Sequence, residues 1–294
     1  MKPKEIINKI NTAVSIKDVF PDLKSGWKSV YNSFASVIHP DKCSLDGAEE
    51  AMGKLNGFKT ELENGKIFSD ESGEITYFPF KVVMSGNKDL LDISLKNYNI
   101  LKNLKTKAAI KFNNLLPEKM FFDGEKLIIE FDNRYIPLFT VNTLPQEHVN
   151  WVYRRMITFS SWLAKEGFVH SGINPDSVFI DPLNHHINVI TFYHMAEKDT
   201  KIKTISGKWS RFYQEDVFRN KLAKSLTDVE LCKKTAIWLL GDKTGRGSIL
   251  RWKKYPKLVE QFLNFEPVPY NALISFTKVM SEDFDTTKFI KLNI

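Results

Sequence analysis

Residues 168–193 read FVHSGINPDSVFIDPLNHHINVITFY, and this stretch decides the fold. Val178, Phe179 and Ile180 form a short apolar run. Ile187, Val189 and Ile190 form a second one around Asn188. Runs of that length, bounded by Asn, Asp, Pro and Gly, predict strands joined by turns. The stretch therefore predicts a short strand at Phe168, a loop through Pro175, a strand, a turn at Asn184-His185-His186 and another strand. One histidine, His170, stands at the mouth of the loop.

The neighbours on either side are helical. Val149, Val152, Met156, Phe159 and Leu163 recur at i, i+3 and i+4 spacing, which predicts a helix over 146–166 ended by Gly167. Residues 198–210 are basic and polar, and predict an irregular segment. A second apolar helix opens at Thr227-Asp228-Val229 and runs through Leu240.

The central stretch resembles the catalytic loop of protein kinases, H-R-D-L-x-x-x-N, and the D-F-G that follows it. His170 takes the His position, Ile173 the Leu position and Pro175 the proline that commonly follows. Gly172 stands where the catalytic Asp would be, Asn174 where the usual Lys would be, and Ser177 where the metal-binding Asn would be. Thr191-Phe192-Tyr193 replaces Asp-Phe-Gly. The resemblance implies a kinase scaffold without its carboxylates, a pseudokinase. It extends to SGKWSRFYQEDVF (206–218), similar to the segment closed by Ala-Pro-Glu, with Asp216 or Glu215 at the closing acid. Asp228 matches the acid that holds the kinase catalytic loop through backbone hydrogen bonds. It also reads as a first-turn helix acid favoured by the dipole, and the two readings are compatible.

The 66–141 region alternates as strands do, at 66–68 and 75–84, around a turn at Glu71-Ser72-Gly73. A kinase carries a glycine-rich phosphate cover there. This chain has one glycine in a turn whose Asp70, Glu71 and Glu74 would repel phosphate. The run Tyr77 to Val83 resembles the strand carrying the kinase phosphate-binding lysine, which makes Lys81 the candidate for that position, although a structural or surface role is the favoured reading because the glutamate expected to pair with it is missing. Its partner would lie on a helix over 89–105, where Asn97 occupies the expected glutamate position. A hairpin follows, 115–122 with 126–131 across Asp123-Gly124, and residues 132–141 would be a hinge beside a crevice that could still take ATP weakly.

The first 65 residues are a different kind of sequence. Ile6, Ile7, Ile10 and Val14 lie at helical spacing behind Pro3. A second helix is predicted from about Lys24 to Ile38, with Trp27, Tyr31, Phe34 and Ile38 on one stripe. His39-Pro40-Asp41-Lys42 ends it, since Pro40 pushes His39 out of helical geometry. A third helix begins at 45–48, capped by Asp46, and carries Met52, Leu55, Phe58 and Leu62. Helix, H-P-D, helix resembles a J domain. KSVYNSFASVIHPDK (28–42) is similar to the family pattern KKAYRKLALKYHPDK, and AEEAMGKLN (48–56) to AEEKFKEIN. The resemblance implies that His39, Pro40 and Asp41 engage a DnaK-type chaperone and stimulate its ATPase, with Lys28 and Lys42 facing acids there. The chain departs from the family at Asn32 and Ser36, where basic residues are usual, and this weakens electrostatic steering.

The 294 residues, 43% hydrophobic, suit a substantial core. Cys43 and Cys232 fit no metal spacing and suit free thiols in a reducing compartment, so a cytoplasmic protein is expected, with no membrane span and no metal. The formal charge of +7 admits acidic partners, nucleic acid included, although a Lys-rich solvated surface is the favoured reading. Lys243, Arg246, Arg251, Lys253, Lys254 and Lys257 interleave with Trp252 and Tyr255, which could bind nucleic acid, although a solvated helix face is the favoured reading. The expectation is an α+β chain: a helical J domain over 1–65, then a bilobal kinase-like fold with lobes over 66–141 and 142–294. Its expected role is a co-chaperone whose inactive kinase-like part binds a client. A divergent kinase using Asp176 or Asp181, with bound nucleotide, is the enzymatic alternative.

Overall fold

The computed structural model describes residues 1–13, 16–20, 26–250, 257–283 and 292. Two compact units divide the chain: Met1–Lys66 with Tyr77–Pro79, and Ile67–Thr76 with Phe80–Leu292.

The first unit is helical: α1 (Pro3–Thr12), α2 (Ile16–Val19), α3 (Trp27–Ile38) and α4 (Ala48–Asn64). Pro3 occupies the first turn of α1, where its missing N–H costs nothing. Ile6, Ile7 and Ile10 are buried, as are Phe34 and Ile38 of α3 and Ala51 and Leu55 of α4. Two polar contacts fix these helices. Tyr31 Oη donates to Asn56 Oδ1 at 2.8 Å, and Lys54 Nζ donates to the carbonyls of Asn11 and Ala13 at 3.0 and 2.8 Å. Lys54 thus satisfies carbonyls that the end of α1 leaves without helical partners. The start of α4 differs from expectation. Its N-cap is Gly47 at φ 77°, with no side-chain cap from Asp46. A Cβ at Gly47 would lie 3.1 Å from Asn11 Nδ2, which donates to the Gly47 carbonyl, so the close approach to α1 favours glycine over a capping side chain. Val14 and Lys24, and with Lys24 the predicted start of the second helix, lie outside the described residues.

The second unit mixes sheet and helix. β1 (Lys66–Asp70), β2 (Gly73–Phe78), β3 (Lys81–Gly86), β4 (Lys119–Asp123) and β5 (Lys126–Glu130) form one sheet in the order β1-β2-β3-β5-β4. The predicted strand over 75–84 is two strands, because Pro79 cannot donate to a ladder and the chain turns there. The hairpin strand begins at Lys119, not Leu115. Residues before it form α6 (Lys107–Phe112) and a 3₁₀ turn over Asn113–Leu115, which the alternating pattern concealed. Between β3 and β4 runs α5 (Lys88–Asn103), capped by Asn87, whose side chain accepts from Leu90 N. The expected hinge contains β6 (Ile136–Pro137), paired with β8.

The helical portion is built on α7 (Gln146–Lys165), followed by Gly167 at φ 86°. Next come β7 (Phe168–Val169), β8 (Val178–Asp181), β9 (His186–Val189) and β10 (Ala196–Glu197). β8 pairs antiparallel with β9, and β7 with β10. The helices α8 (Glu215–Asn220), α9 (Ser225–Leu239), α10 (Lys257–Leu263) and α11 (Pro269–Asp283) complete it. Tyr153 of α7 packs edge-on against Phe262 and Phe276, so one buried aromatic joins α7, α10 and α11. The tail of the predicted closing helices beyond 283 lies outside the described residues. No helix among the described residues is long and apolar enough to cross a membrane.

Candidate functional site

The sequence reading points to two sites, one in each unit. In the first unit α3 stops at Ile38, and His39 leaves helical geometry at φ −56°, ψ 133°. The N–H groups of Lys42 and Cys43 both donate to the His39 carbonyl, at 2.8 and 2.9 Å, which closes a tight turn. Cys43 is buried beneath it, while the side chains of His39 and Asp41 are 47% and 84% exposed. His39 Nδ1 lies 3.4 Å from Asp41 Oδ2 and accepts from Asp41 N at 3.3 Å. The turn is thus anchored from below and presents its polar atoms to solvent. Lys42 is exposed, and Lys28 reaches Glu63 at 4.0 Å as a weak surface pair.

The second site surrounds residues 170–194. Asp228, buried on the first turn of α9, accepts from His170 N at 2.9 Å and from Ser171 N at 2.7 Å. Burial pushes its carboxyl up to about 7, while these two N–H groups pull the other way. Ser171 has φ 58°, a left-handed conformation that the paired carboxylate bonds and Tyr213 hold in place. Tyr213 Oη donates to the Ser171 carbonyl at 2.8 Å. The His170 ring meets the Ile190 carbonyl through Nε2 at 3.2 Å and packs edge-on against Phe159 and Phe192. Burial, with His194 nearby, lowers its pKa to about 3, so it stays neutral.

Asn174 and Ser177 bond to their own loop. Asn174 Oδ1 accepts from Asp176 N at 2.9 Å and Ser177 N at 3.2 Å, and its Nδ2 donates to the Gly172 carbonyl at 3.0 Å. Ser177 Oγ accepts from Asn174 N and donates to its carbonyl, at 2.9 and 3.1 Å. Asp176 pairs with Lys208 at 2.7 Å, and Asp181 caps the turn to β9 by accepting from Leu183 N, Asn184 N and Asn184 Nδ2. Asn174, Ser177 and Asp181 are therefore engaged in holding the backbone, while Asp176 is held by Lys208. Among the described residues no group of three or more His, Cys, Asp or Glu could hold a metal.

Gly172 has a sharper constraint than the sequence disclosed. A Cβ there would lie 2.3 Å from His194 Cδ2 and 2.7 Å from Cγ. The buried imidazole of His194 fills the space that a side chain at position 172 would need. His194 Nδ1 meets the Thr204 carbonyl at 2.9 Å, and its Nε2 lies 3.8 Å from Glu71 Oε2. Burial lowers its pKa, against the pull of that carbonyl and of Glu71 and Asp70.

The acidic turn between β1 and β2 makes the remaining contacts. Asp70 accepts from Tyr193 Oη at 2.6 Å, and through its other oxygen from Ser72 N and Oγ. Glu71 Oε1 accepts from Gly207 N at 2.6 Å and Ser206 Oγ at 3.3 Å. Sequence reasoning placed these acids in the phosphate-cover position and gave them only repulsion. The structure gives them partners on the 193–207 segment, which no local pattern could have supplied. A phosphate brought to this turn would face two carboxylates already bonded to the segment across from it.

Lys81 opens β3 opposite Glu130 in the ladder and is exposed. Asn97 has a different role from an ion-pair partner: its Nδ2 donates to the carbonyls of Phe192 and Met195 at 2.8 and 2.9 Å. Thr191 is the left-handed residue, φ 63°, that opens the 3₁₀ turn Phe192–His194. Asn97 therefore fastens α5 to the turn that follows β9. Asp216 pairs with Lys224 at 2.8 Å. In the basic region Lys243 lies over the Trp238 ring and donates to the Asn142 carbonyl, and Arg246 and Lys257 are exposed. Arg251, Trp252, Lys253, Lys254 and Tyr255 lie outside the described residues.

The fold and site define a mixed α/β chain with a sheet-rich and a helix-rich part, preceded by a small helical unit. No family model matches it, and no curated protein does. Among solved structures it is similar to vaccinia related kinase 3, at 12% identity and a TM-score of 0.47, over 74% of this chain and 90% of that one.

Proposed function

We propose that this protein is a J-domain co-chaperone in which residues 1–65 stimulate a DnaK-type ATPase, while the kinase-like remainder binds a client or partner without transferring phosphate. The observation that carries the reading is the His39-Pro40-Asp41 turn. It is anchored through Cys43 and the His39 carbonyl and offers an imidazole and a carboxylate to solvent. A pre-formed turn loses less entropy on docking than a flexible one. Asp41 can accept charge-assisted hydrogen bonds from a basic residue of the partner, and Lys28 and Lys42 can face acids beside it.

Support for a kinase-like scaffold without phosphotransfer lies in the second site. Asp228 holds the 170–171 backbone, whereas Gly172, Ser177 and Thr191 provide neither base nor metal ligand. Phosphoryl transfer depends on those groups for positioning and charge stabilisation. The test is single-turnover ATP hydrolysis by a DnaK-type chaperone with the full chain added. The full chain should accelerate hydrolysis, and His39→Gln and Asp41→Asn should abolish the acceleration. Equal acceleration by the variants, or none by the parent, overturns the co-chaperone reading. Magnesium-dependent phosphate transfer lost in Lys81→Ala would overturn the inactive-kinase reading.

A further inference from the structure

We propose that a cavity on the helical part of the second unit docks an acidic linear segment of a partner protein, one with an apolar residue among its acids. The inference rests on the client-binding role assigned above and gives that role a surface and a ligand chemistry. The cavity measures about 490 Å³ and lies between the end of α7, the turn at Lys198-Asp199, the start of α9 and the chain entering α11. Lys165, Lys198 and Lys224 line it against a single acid, Asp199. Lys165 and Lys198 have no ion-pair partner among the described residues, while Lys224 shares its charge with Asp216.

The floor adds a second source of positive potential. Ser225 and Leu226, the first two residues of α9, line the cavity, and α9 has no side-chain N-cap. A helix of 15 residues presents N–H donors and the positive end of its dipole there, which suits a carboxylate. The opposite wall is apolar. Val268 and Tyr270 are 44% and 61% exposed and flank Pro269 at the start of α11. One cavity therefore pairs cationic donors with an uncovered apolar wall. A carboxylate-bearing chain with an aliphatic or aromatic side chain satisfies both halves, and a bare anion satisfies only one.

The site is also built rather than incidental. Lys198 N donates to the Gly167 carbonyl and Asp199 N to the Ala223 carbonyl, both at 2.8 Å. Ala223 N returns a bond to the Thr200 carbonyl at 2.9 Å. Asp199 takes φ 62° to make this turn. The basic rim is thus pinned to both neighbouring segments, and Pro267 and Pro269 stiffen the apolar wall. Pre-organisation of this kind lowers the entropy lost when a flexible peptide binds.

The test uses the full chain and a fluorescein-labelled peptide, EEDLFEDEE, followed by anisotropy. The acidic peptide should bind and weaken with added salt, while KKNLFKNKK should not bind. EEDGGEDEE, which lacks the apolar pair, should bind several-fold more weakly. Lys165→Glu with Lys198→Glu should reduce affinity by about tenfold or more, as expected for reversing interface charges. Tyr270→Ala should reduce it several-fold. All three changed residues are exposed, and unchanged thermal melts verify folding. Equal binding by the charge-reversed variant would place the peptide elsewhere, and full displacement by an equal concentration of tripolyphosphate or oligo-dT would mark a plain anion surface; either result overturns the proposal. Chaperone stimulation is measured on the same variants. Stimulation intact with peptide binding absent defeats the docking site alone. Peptide binding intact with stimulation absent defeats the co-chaperone reading alone.

Discussion

The turn at residues 39–42 and the loop at residues 170–177 are both short, polar and anchored through backbone hydrogen bonds, yet they present opposite faces to water. His39 and Asp41 keep their side chains in solvent, whereas His170, Asn174, Ser177 and Asp228 are buried and bonded to the backbone around them. A polar group in water is available to a partner at little cost. A polar group in the interior is stabilising only while its own partners are in place, and losing one leaves a desolvated donor or acceptor. The first loop therefore has the character of a contact surface and the second that of a scaffold. The same residue types that would serve chemistry in an open cleft serve architecture here.

Four variants would break or sharpen that contrast. The largest effect is expected at Gly172. Gly172→Asp puts a catalytic-type acid into the space of the His194 ring, and overpacking with a buried charge should cost about 3 kcal/mol or more. Denaturant unfolding reads this directly. Adding His194→Ala should recover part of the loss, and if Gly172→Asp is tolerated alone, the packing argument is wrong.

Asp228→Asn comes next. One backbone N–H of the pair to His170 and Ser171 would lose its acceptor, for a loss of about 1–3 kcal/mol. The native group also has a pH signature. Its folded pKa, about 7, stands above the ordinary 3.8. Below 3.8 the carboxyl is protonated in both states, so no differential arises. As pH rises from there towards 7 the unfolded chain ionises first, and stability falls by up to about 1.4 kcal/mol per pH unit, levelling above 7. Asp228→Asn should flatten that window in a series of unfolding curves. An unchanged slope would assign the dependence to other groups.

Asp70→Asn with Glu71→Gln should loosen the acidic turn from the 193–207 segment. Charge-assisted bonds to Tyr193, Ser206 and Gly207 would become neutral ones, each roughly half as strong. Amide exchange at Gly207 should accelerate, since its N–H is held by Glu71 alone among the described bonds. Unaltered exchange would show that the segment is held by its own packing. The smallest effect on stability belongs to Asp41→Asn. At that exposure a substitution should stay within about 0.5 kcal/mol, even though it removes a charge from the surface. A clear drop in melting temperature there would move this turn from surface to scaffold and weaken the contrast itself.

The strand–loop–strand–turn–strand order of 168–193, the helices at 146–165 and 225–239, and the helix-turn-helix around His39-Pro40-Asp41 were all legible from the sequence. Apolar periodicity, Pro40, Gly167 and the turn at Asn184-His185-His186 are local signals, and local backbone preference follows from them. Tertiary structure alone decided what the polar residues of that pattern do. Gly172 reads in sequence as a lost acid, but its reason is the His194 ring 22 positions on, which leaves no room for a Cβ. Asp70 and Glu71 read as repellents, but they become acceptors for residues more than 120 positions away. Asn97 reads as a failed ion-pair partner, but it bonds two carbonyls in the turn after β9. The start of α4 moved from Asp46 to Gly47 because the N-cap residue takes a left-handed φ of 77° close against α1, a conformation glycine adopts most readily. Secondary structure follows from neighbours in the chain, whereas a polar side chain acts on whatever folding brings within about 3 Å, and that distance is set by packing.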